Sequence, residues 1–135
     1  MYGMEKRGEI IEVSFNVLVT DEDIDDIMVS ALEGGINHWC AEAKVQGEYL
    51  GEFASDQISR GGTLLLYDVE ERKYEELTKE KFLAGMKRYL EHPIYEDTIY
   101  PGTHEGRYLL DCTLIDAPVS DMIIQYALFG EIVYD

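Results

Sequence analysis

The stretch "IIEVSFNVLVTDEDIDDIMVSALEGG", Ile10–Gly35, contains two hydrophobic periods that meet at one threonine. Up to Val19 the apolar residues occupy every second position, which is the period of a strand with one buried face. After Thr20 they recur every three or four positions, which is the period of a helix with one buried face. Thr20 is a favourable N-cap, the acidic residues that follow it suit the helix dipole, and Gly34 with Gly35 ends the pattern. The stretch therefore predicts a strand over residues 10–19 and then a helix.

The rest of the chain alternates between the same two patterns. Further helices are predicted after the N-caps Thr78 and Asp116, the first stopped by Pro93 and the second by Gly130. Further strands are predicted in "HWCAEAKV" (38–45, continuing towards Leu50), "TLLLYDV" (63–69), "KYEEL" (73–77), "RYLLDCTLI" (107–115) and "EIVY" (131–134), with residues 94–106 as the longest irregular stretch.

This order of elements predicts the α+β class. We expect one domain over residues 1–135, frayed at residues 1–8, with a mixed, mainly antiparallel sheet and about three helices packed on it. The predicted core consists of the apolar residues that share a face in each element: Phe15, Val17, Ile27, Met28, Leu32, Leu65, Phe82, Met86, Ile123 and Tyr126.

The charge of the chain limits its partners. The 135 residues include 28 acidic and 11 basic ones, and the formal net charge is −17. Such a surface repels nucleic acid and anionic membranes and attracts basic partners, although the same charge can serve solubility alone. No signal peptide or membrane span is expected, so the expected location is the cytoplasm of a bacterial host, where Cys40 and Cys112 would be free thiols.

The sequence contains little that indicates catalysis. No phosphate-binding loop, dinucleotide fingerprint, zinc-protease motif or paired-cysteine motif is present. His38 and Cys40 share one face of a predicted strand, but side chains two positions apart lie roughly 7 Å from each other, too far for a direct hydrogen bond. We therefore expect no enzymatic activity, no metal site and no cofactor.

Two features remain as candidate binding sites. The first is the acidic surface itself, because carboxylates on a rigid helix can imitate a phosphate backbone and occupy a basic groove. The residues expected to contact a basic partner are Asp21, Glu22, Asp25, Asp26 and Glu33.

The second candidate is the glycine-bounded segment "GEYLGEFASDQISRGG", residues 47–62. It could hold a small anionic nucleotide, with aromatic residues stacking on the base and Arg60 and glycine amides on the phosphate, in a homodimer that brings two copies of Arg60 together. The residues of this site would be Trp39, Tyr49, Phe53, Asp56, Gln57, Ser59, Arg60, Gly61, Gly62 and Arg107. In the simpler interpretation, Arg60 pairs with Asp56 and the glycines only turn the chain.

The phrases "ALEGGINHWC", "GEYLGEFASDQISRGGTLLL", "LTKEKFLAGMKRYLE" and "QYALFGEIVY" resemble small, acidic accessory proteins of phages, prophages and conjugative elements of gut Firmicutes. The resemblance implies a setting and no catalytic residue. Accessory proteins of mobile elements often counter host defence, which suggests a basic host protein, such as a defence nuclease, as partner. Sequestration of a nucleotide second messenger is the alternative, and neither requires direct binding of nucleic acid or of a membrane.

Overall fold

Three helices and six short strands form the α+β fold in the computed structural model, which describes residues 6–102 and 106–135. The helices are α1 (Asp21–Ser30), α2 (Lys79–Glu91) and α3 (Ala117–Phe129). The strands are β1 (Asn16–Leu18), β2 (Cys40–Gln46), β3 (Thr63–Asp68), β4 (Lys73–Leu77), β5 (Ile99–Pro101) and β6 (Arg107–Leu110). The predicted fold class is confirmed.

The strands form two three-stranded sheets rather than one. In the first sheet, β6 lies between β1 and β5, parallel to β1 and antiparallel to β5. In the second, β3 lies between β2 and β4, and both pairs are antiparallel. The predicted hairpin between Thr63 and Leu77 is therefore present, and it turns through Arg72, whose φ is +56°.

Each helix begins at the residue that the sequence predicts. Thr20 Oγ1 accepts from the Asp23 amide at 3.0 Å while the Asp23 carboxylate accepts from the Thr20 amide, which completes a capping box. Thr78 and Asp116 cap α2 and α3 with single side-chain bonds. At the other end, α1 continues as a wider π-helical turn over Ala31–Gly35, and α3 ends at Gly130, whose φ is +74°.

One hydrophobic core joins the helices to the hairpin. Its fully buried side chains include Ile27 and Met28 of α1, Phe82 and Met86 of α2, and Ile123 of α3, as predicted. Val17, Leu32 and Tyr126 pack against this core but are only partly buried.

Two core predictions are wrong. Phe15 is 48% exposed, because the strand predicted over residues 10–19 forms only at Asn16–Leu18. Leu65 is half-buried, because β3 turns Leu64 and Leu66 towards the core instead. The strand was predicted, but the face of it that points to the interior carries Leu64 and Leu66 and not Leu65.

Three boundaries also differ from the prediction. The "RYLLDCTLI" strand ends at Leu110 and is followed by a 3₁₀ turn at Cys112–Leu114. The segment "EIVY" forms no strand, since the amides of Val133 and Tyr134 donate to the Gln125 side chain. Residues 94–106 include β5, although residues 103–105 of that stretch lie outside the described residues, as do residues 1–5 of the predicted frayed end.

No helix within the described ranges is both long enough and apolar enough to cross a membrane.

Candidate functional site

Helix α1 presents acidic side chains on the side opposite its buried face. Ile24, Ile27 and Met28 are at most 1% exposed and fix the helix on the core. We call the exposed residues Asp21, Glu22, Asp26 and Glu33 the acidic face; the last of them lies in the π-helical turn. Because the helix is capped and packed, these carboxylates project from a rigid element.

Two of the predicted contact residues have partners inside the protein. Asp21 pairs with Lys79 Nζ at 3.1 Å, although its side chain remains 72% exposed. Asp25 accepts a hydrogen bond of 2.5 Å from the Ser59 hydroxyl and is half-buried. Asp25 therefore attaches α1 to the segment around Ser59, and it is less available to a partner than Glu22 or Asp26.

The negative charge of the protein is largely uncompensated by ion pairs. Among the described residues, lysine or arginine pairs with a carboxylate in three places: Lys73 with Glu75, Lys79 with Asp21, and Arg88 with Glu91. The field beside α1 also acts on Cys112: burial, and then the neighbouring Asp23, raise the pKa of this thiol to about 12.

An apolar cleft adjoins the acidic face. It encloses about 340 Å³ between the end of α1 and the 3₁₀ turn Ala54–Asp56. Its lining is mainly apolar and includes one residue of the acidic face: Val29, Leu32, Glu33, Phe53, Ala54 and Ser55. Phe53 is 60% exposed at this cleft, so a large aromatic side chain lies in solvent in the same cleft as Glu33 of the acidic face.

The glycine amides of the predicted anion loop are already bonded. The Gly61 amide donates to Ile58 O at 3.0 Å and the Gly62 amide to Gln57 O at 2.9 Å, with Gly61 at a φ of +86°. This is the geometry of a chain reversal that consumes its own donors. The two amides are therefore not free to hold a phosphate in this conformation.

Gln57 is also engaged in the structure rather than free to recognise a base. Its amide oxygen accepts from the Leu50 amide at 3.0 Å, and its amide nitrogen donates to Glu48 O at 2.8 Å. The side chain is buried against Gly62, where an added Cβ would lie 2.7 Å from Gln57 Nε2. Gln57 thus holds residues 48–50 onto the turn.

The predicted ion pair between Arg60 and Asp56 is absent from the described residues, so this part of the simpler interpretation is wrong. Asp56 Oδ2 accepts instead from the amides of Glu52 and Phe53, both at 3.1 Å. Arg60 is exposed, and its Nε lies close to Gly51, where a Cβ would approach it to 2.8 Å. Arg60 is thus accommodated by a glycine rather than neutralised by Asp56.

The remaining residues of the predicted nucleotide site do not converge. Trp39 is 1% exposed and therefore cannot line a dimer interface; that prediction is wrong. Arg107 is exposed on β6, in the other sheet from the hairpin that follows Gly62. Tyr49, Phe53 and Arg60 remain accessible.

The sequence analysis missed a buried polar cluster around Asp121. This carboxylate accepts from Trp39 Nε1 and bonds His38 Nε2, both at 2.8 Å, and it also accepts from Gln125 Nε2 at 3.0 Å. The sequence feature that could have predicted this cluster is the pair Asp121 and Gln125, which lie four positions apart on a largely apolar helix. The cluster binds α3 to the segment before β2. Both carboxylate oxygens of Asp121 already take part in hydrogen bonds within the protein.

The candidate catalytic and metal-binding residues are engaged in the same way. Cys40 Sγ donates to Glu42 O, and burial raises the pKa of its thiol, so the thiolate is disfavoured. Within residues 6–102 and 106–135, no three histidine, cysteine or acidic side chains are grouped so that they could hold a metal ion. His104, a further residue of a type that can act as a metal ligand or as a base, lies outside the described residues.

A scan against protein-family models, a search of curated proteins and a search of solved structures each found no match.

Proposed function

We propose that this protein acts by binding a basic protein, with the acidic face as the charged part of the interface and the adjoining cleft as its apolar part. The single observation that supports this proposal most directly is that the exposed Phe53 and the exposed Glu33 of the acidic face line one cleft at the end of α1. Protein interfaces commonly combine an aromatic or aliphatic anchor in a pocket with a polar rim.

The charge supports a partner that normally binds nucleic acid. Most acidic side chains of residues 6–102 and 106–135 form no ion pair with lysine or arginine, and such a surface is attracted to the same basic grooves that bind phosphates. The protein would then exclude nucleic acid from its partner by occupying the groove. In the setting that the sequence resemblance suggests, the partner is a defence nuclease of the bacterial host.

Binding without catalysis agrees with the state of the reactive groups. Both thiols have raised pKa values, and His38 is hydrogen-bonded to Asp121. A nucleotide-binding function receives less support, because the amides of Gly61 and Gly62 are occupied and Trp39 is buried.

The proposal can be tested by competition. A fluorescent DNA duplex is bound to each of a panel of basic nucleic-acid-binding host proteins, and this protein is titrated in while fluorescence anisotropy is followed. We expect displacement of the duplex from at least one of them. The displacement should weaken as salt rises, because screening shortens the range of charge interactions from about 10 Å at 0.1 M to about 3 Å at 1 M.

Charge-reversal variants distinguish a contribution of the acidic face from an effect of the net charge of the protein. The double variant Glu22→Lys with Asp26→Lys should slow association with the partner by about tenfold, since steering acts mainly on the association rate. The control is Glu70→Lys with Glu71→Lys, which changes the net charge equally at exposed positions of the β3–β4 turn. Equal effects of the two double variants would mean that net charge alone acts, and the proposed interface would be wrong.

A further inference from the structure

The segment before β1 has the pattern of a strand, but among the described residues no strand pairs with residues 10–15. Its odd positions are apolar through residues 11, 13, 15, 17 and 19, and its even positions 12, 14 and 16 are polar. The described ladder with β6 includes only Asn16–Leu18. As a result, Ile11 is 78% and Val13 74% exposed.

The apolar side of this segment borders an open groove. The groove encloses about 650 Å³ between the segment and α2. One wall consists of Val13, Phe15, Val17 and Val19 with Ser14 and Asn16 between them, and the apolar residues of the other wall are Leu83, Met86 and Leu90. Contiguous exposed apolar side chains beside a groove are typical of a docking site.

The groove and the segment contain equal numbers of acidic and basic residues, although the chain as a whole carries −17. Residues 6–15 contain Lys6 and Arg7 against Glu9 and Glu12, and the groove wall contains Lys87 against Glu91. Two copies that each carry −17 repel each other across most of their surfaces. The local balance lets a second copy approach this region with little like-charge repulsion.

We propose that residues 10–18 of two copies pair as antiparallel strands about a two-fold axis. β1 lies at the edge of its sheet, with β6 on one side only, so its other edge can add a strand. The joined sheet has six strands, three from each copy. An isologous interface of this kind is the commonest arrangement in soluble dimers.

The pairing also fills the groove. Because successive side chains of a strand point to opposite faces, the odd positions of both copies lie on one side of the joined sheet. Ile11 and Val13 of the second copy then lie beside Phe15 and Val17 and close the opening towards Leu83. The polar side chains at positions 12, 14 and 16 remain in solvent.

This dimer does not depend on the proposed function. Helices α1 and α2 both pack on α3, and the groove involves α2 while the acidic face belongs to α1. The two interactions also respond differently to salt. Salt weakens the attraction of the acidic face to a basic partner, whereas it strengthens the dimer by screening the repulsion between two acidic copies.

Sedimentation equilibrium of the full chain tests the proposal with two variants of equal charge. Val13→Glu places a carboxylate on the buried side of the joined sheet, and Ser14→Glu places one on its solvent side. We expect a concentration-dependent dimer for the wild-type protein. Val13→Glu should weaken it by about 100-fold or more, because the change enters a symmetric interface twice, and Ser14→Glu by less than about tenfold. Val13 is largely exposed in the single chain, so its variant should still fold.

Hydrogen exchange supplies a second readout. The amides of residues 11–15 should exchange more slowly as protein concentration rises in the wild type and in Ser14→Glu, and not in Val13→Glu. A wild-type protein that remains monomeric up to roughly 100 μM would overturn the proposal. So would equal effects of the two variants, which would assign any association to net charge alone.

Discussion

Helix α1 and the segment before β1 are neighbours in the sequence, and each has a clear amphipathic pattern, but only the helix forms as predicted. The backbone bonds of a helix lie within the helix, so its pattern and its caps almost suffice to specify it. The backbone bonds of a strand join it to another strand, which the local pattern does not identify. A strand pattern therefore predicts a buried face without specifying which chain supplies the partner.

The largest expected difference between the two regions is in how much their apolar side chains contribute to the free energy of unfolding. Ile27→Ala should lower the free energy of unfolding by about 3 kcal/mol, because it leaves a cavity in the core. Ile11→Ala should change it by less than about 0.5 kcal/mol in dilute protein, where the single chain exposes this side chain. Urea denaturation followed by circular dichroism measures both. A loss of more than 1 kcal/mol for Ile11→Ala under dilute conditions would mean that the segment is packed in the single chain.

Asp121 lies on a helix, but its hydrogen-bond partners His38 and Trp39 are distant from it in the sequence. Asp121→Ala should cost about 2–3 kcal/mol, because it leaves the buried indole N–H of Trp39 without an acceptor and leaves Gln125 Nε2 with the Tyr134 carbonyl oxygen alone. Asp121→Asn retains one acceptor oxygen and should cost about 1 kcal/mol. Thermal and urea denaturation of the pair provide the measurement. Equal losses in the two variants would show that the carboxylate charge, rather than its hydrogen bonds, stabilises the fold.

Alanine substitutions at two glycines separate the effect of helix propensity on stability from the effect of helix packing. Gly85 lies where α2 meets α3, and an added Cβ would approach Ile123 O to 2.5 Å and the Ala127 nitrogen to 2.6 Å. Gly85→Ala should therefore destabilise the fold by about 2 kcal/mol, although alanine is the better helix former. Gly34 has open space around it, so Gly34→Ala should be neutral or stabilising by up to about 1 kcal/mol. Stabilisation by both substitutions would contradict the close approach of α2 and α3.

The smallest expected effect concerns alkaline pH and Cys112. The folded protein raises the pKa of this thiol from 9.0 to about 12, by burial and by the neighbouring Asp23. The unfolded chain therefore loses its proton first, and the stability that this group contributes is present below about pH 9 and is lost as pH rises towards 12. Tyr134, also shifted to about 12, acts in the same direction. In melting curves recorded above pH 9, Cys112→Ala should lose less stability with rising pH than the wild type. An identical decline would assign the effect to the other groups whose pKa is raised, among them Cys40 and Tyr134.

The parts of the fold that follow from short-range rules were predictable. Thr20, Thr78 and Asp116 are the N-caps of the three helices, and the hairpin from Thr63 to Leu77 joins two strands that are adjacent in the sequence. The last strand was predicted wrongly for the opposite reason. Val133 and Tyr134 bond to Gln125 on α3, and no pattern within "EIVY" indicates that a side chain replaces a neighbouring strand.

The features of the candidate site also fall into two groups: those that follow from the local sequence and those that depend on contacts between distant segments. That Glu22 and Asp26 are exposed follows from the helical period alone. The cleft, the bond between Asp25 and Ser59, and the occupied amides of Gly61 and Gly62 depend on how residues 53–62 meet α1 and turn back on themselves. The glycines of this segment made it a candidate binding site, but the sequence did not indicate that the amides of Gly61 and Gly62 donate to carbonyl oxygens of the same turn.

The surroundings of Trp39 have an optical consequence. It is the only tryptophan of the chain, and its ring stacks on Tyr134 at 5.7 Å between centroids and meets Phe129 edge to face. Its emission should therefore be shifted to the blue and poorly accessible to iodide quenching as long as the C-terminal residues cover it. This indole serves as a built-in probe for the release of residues 133–135 from α3.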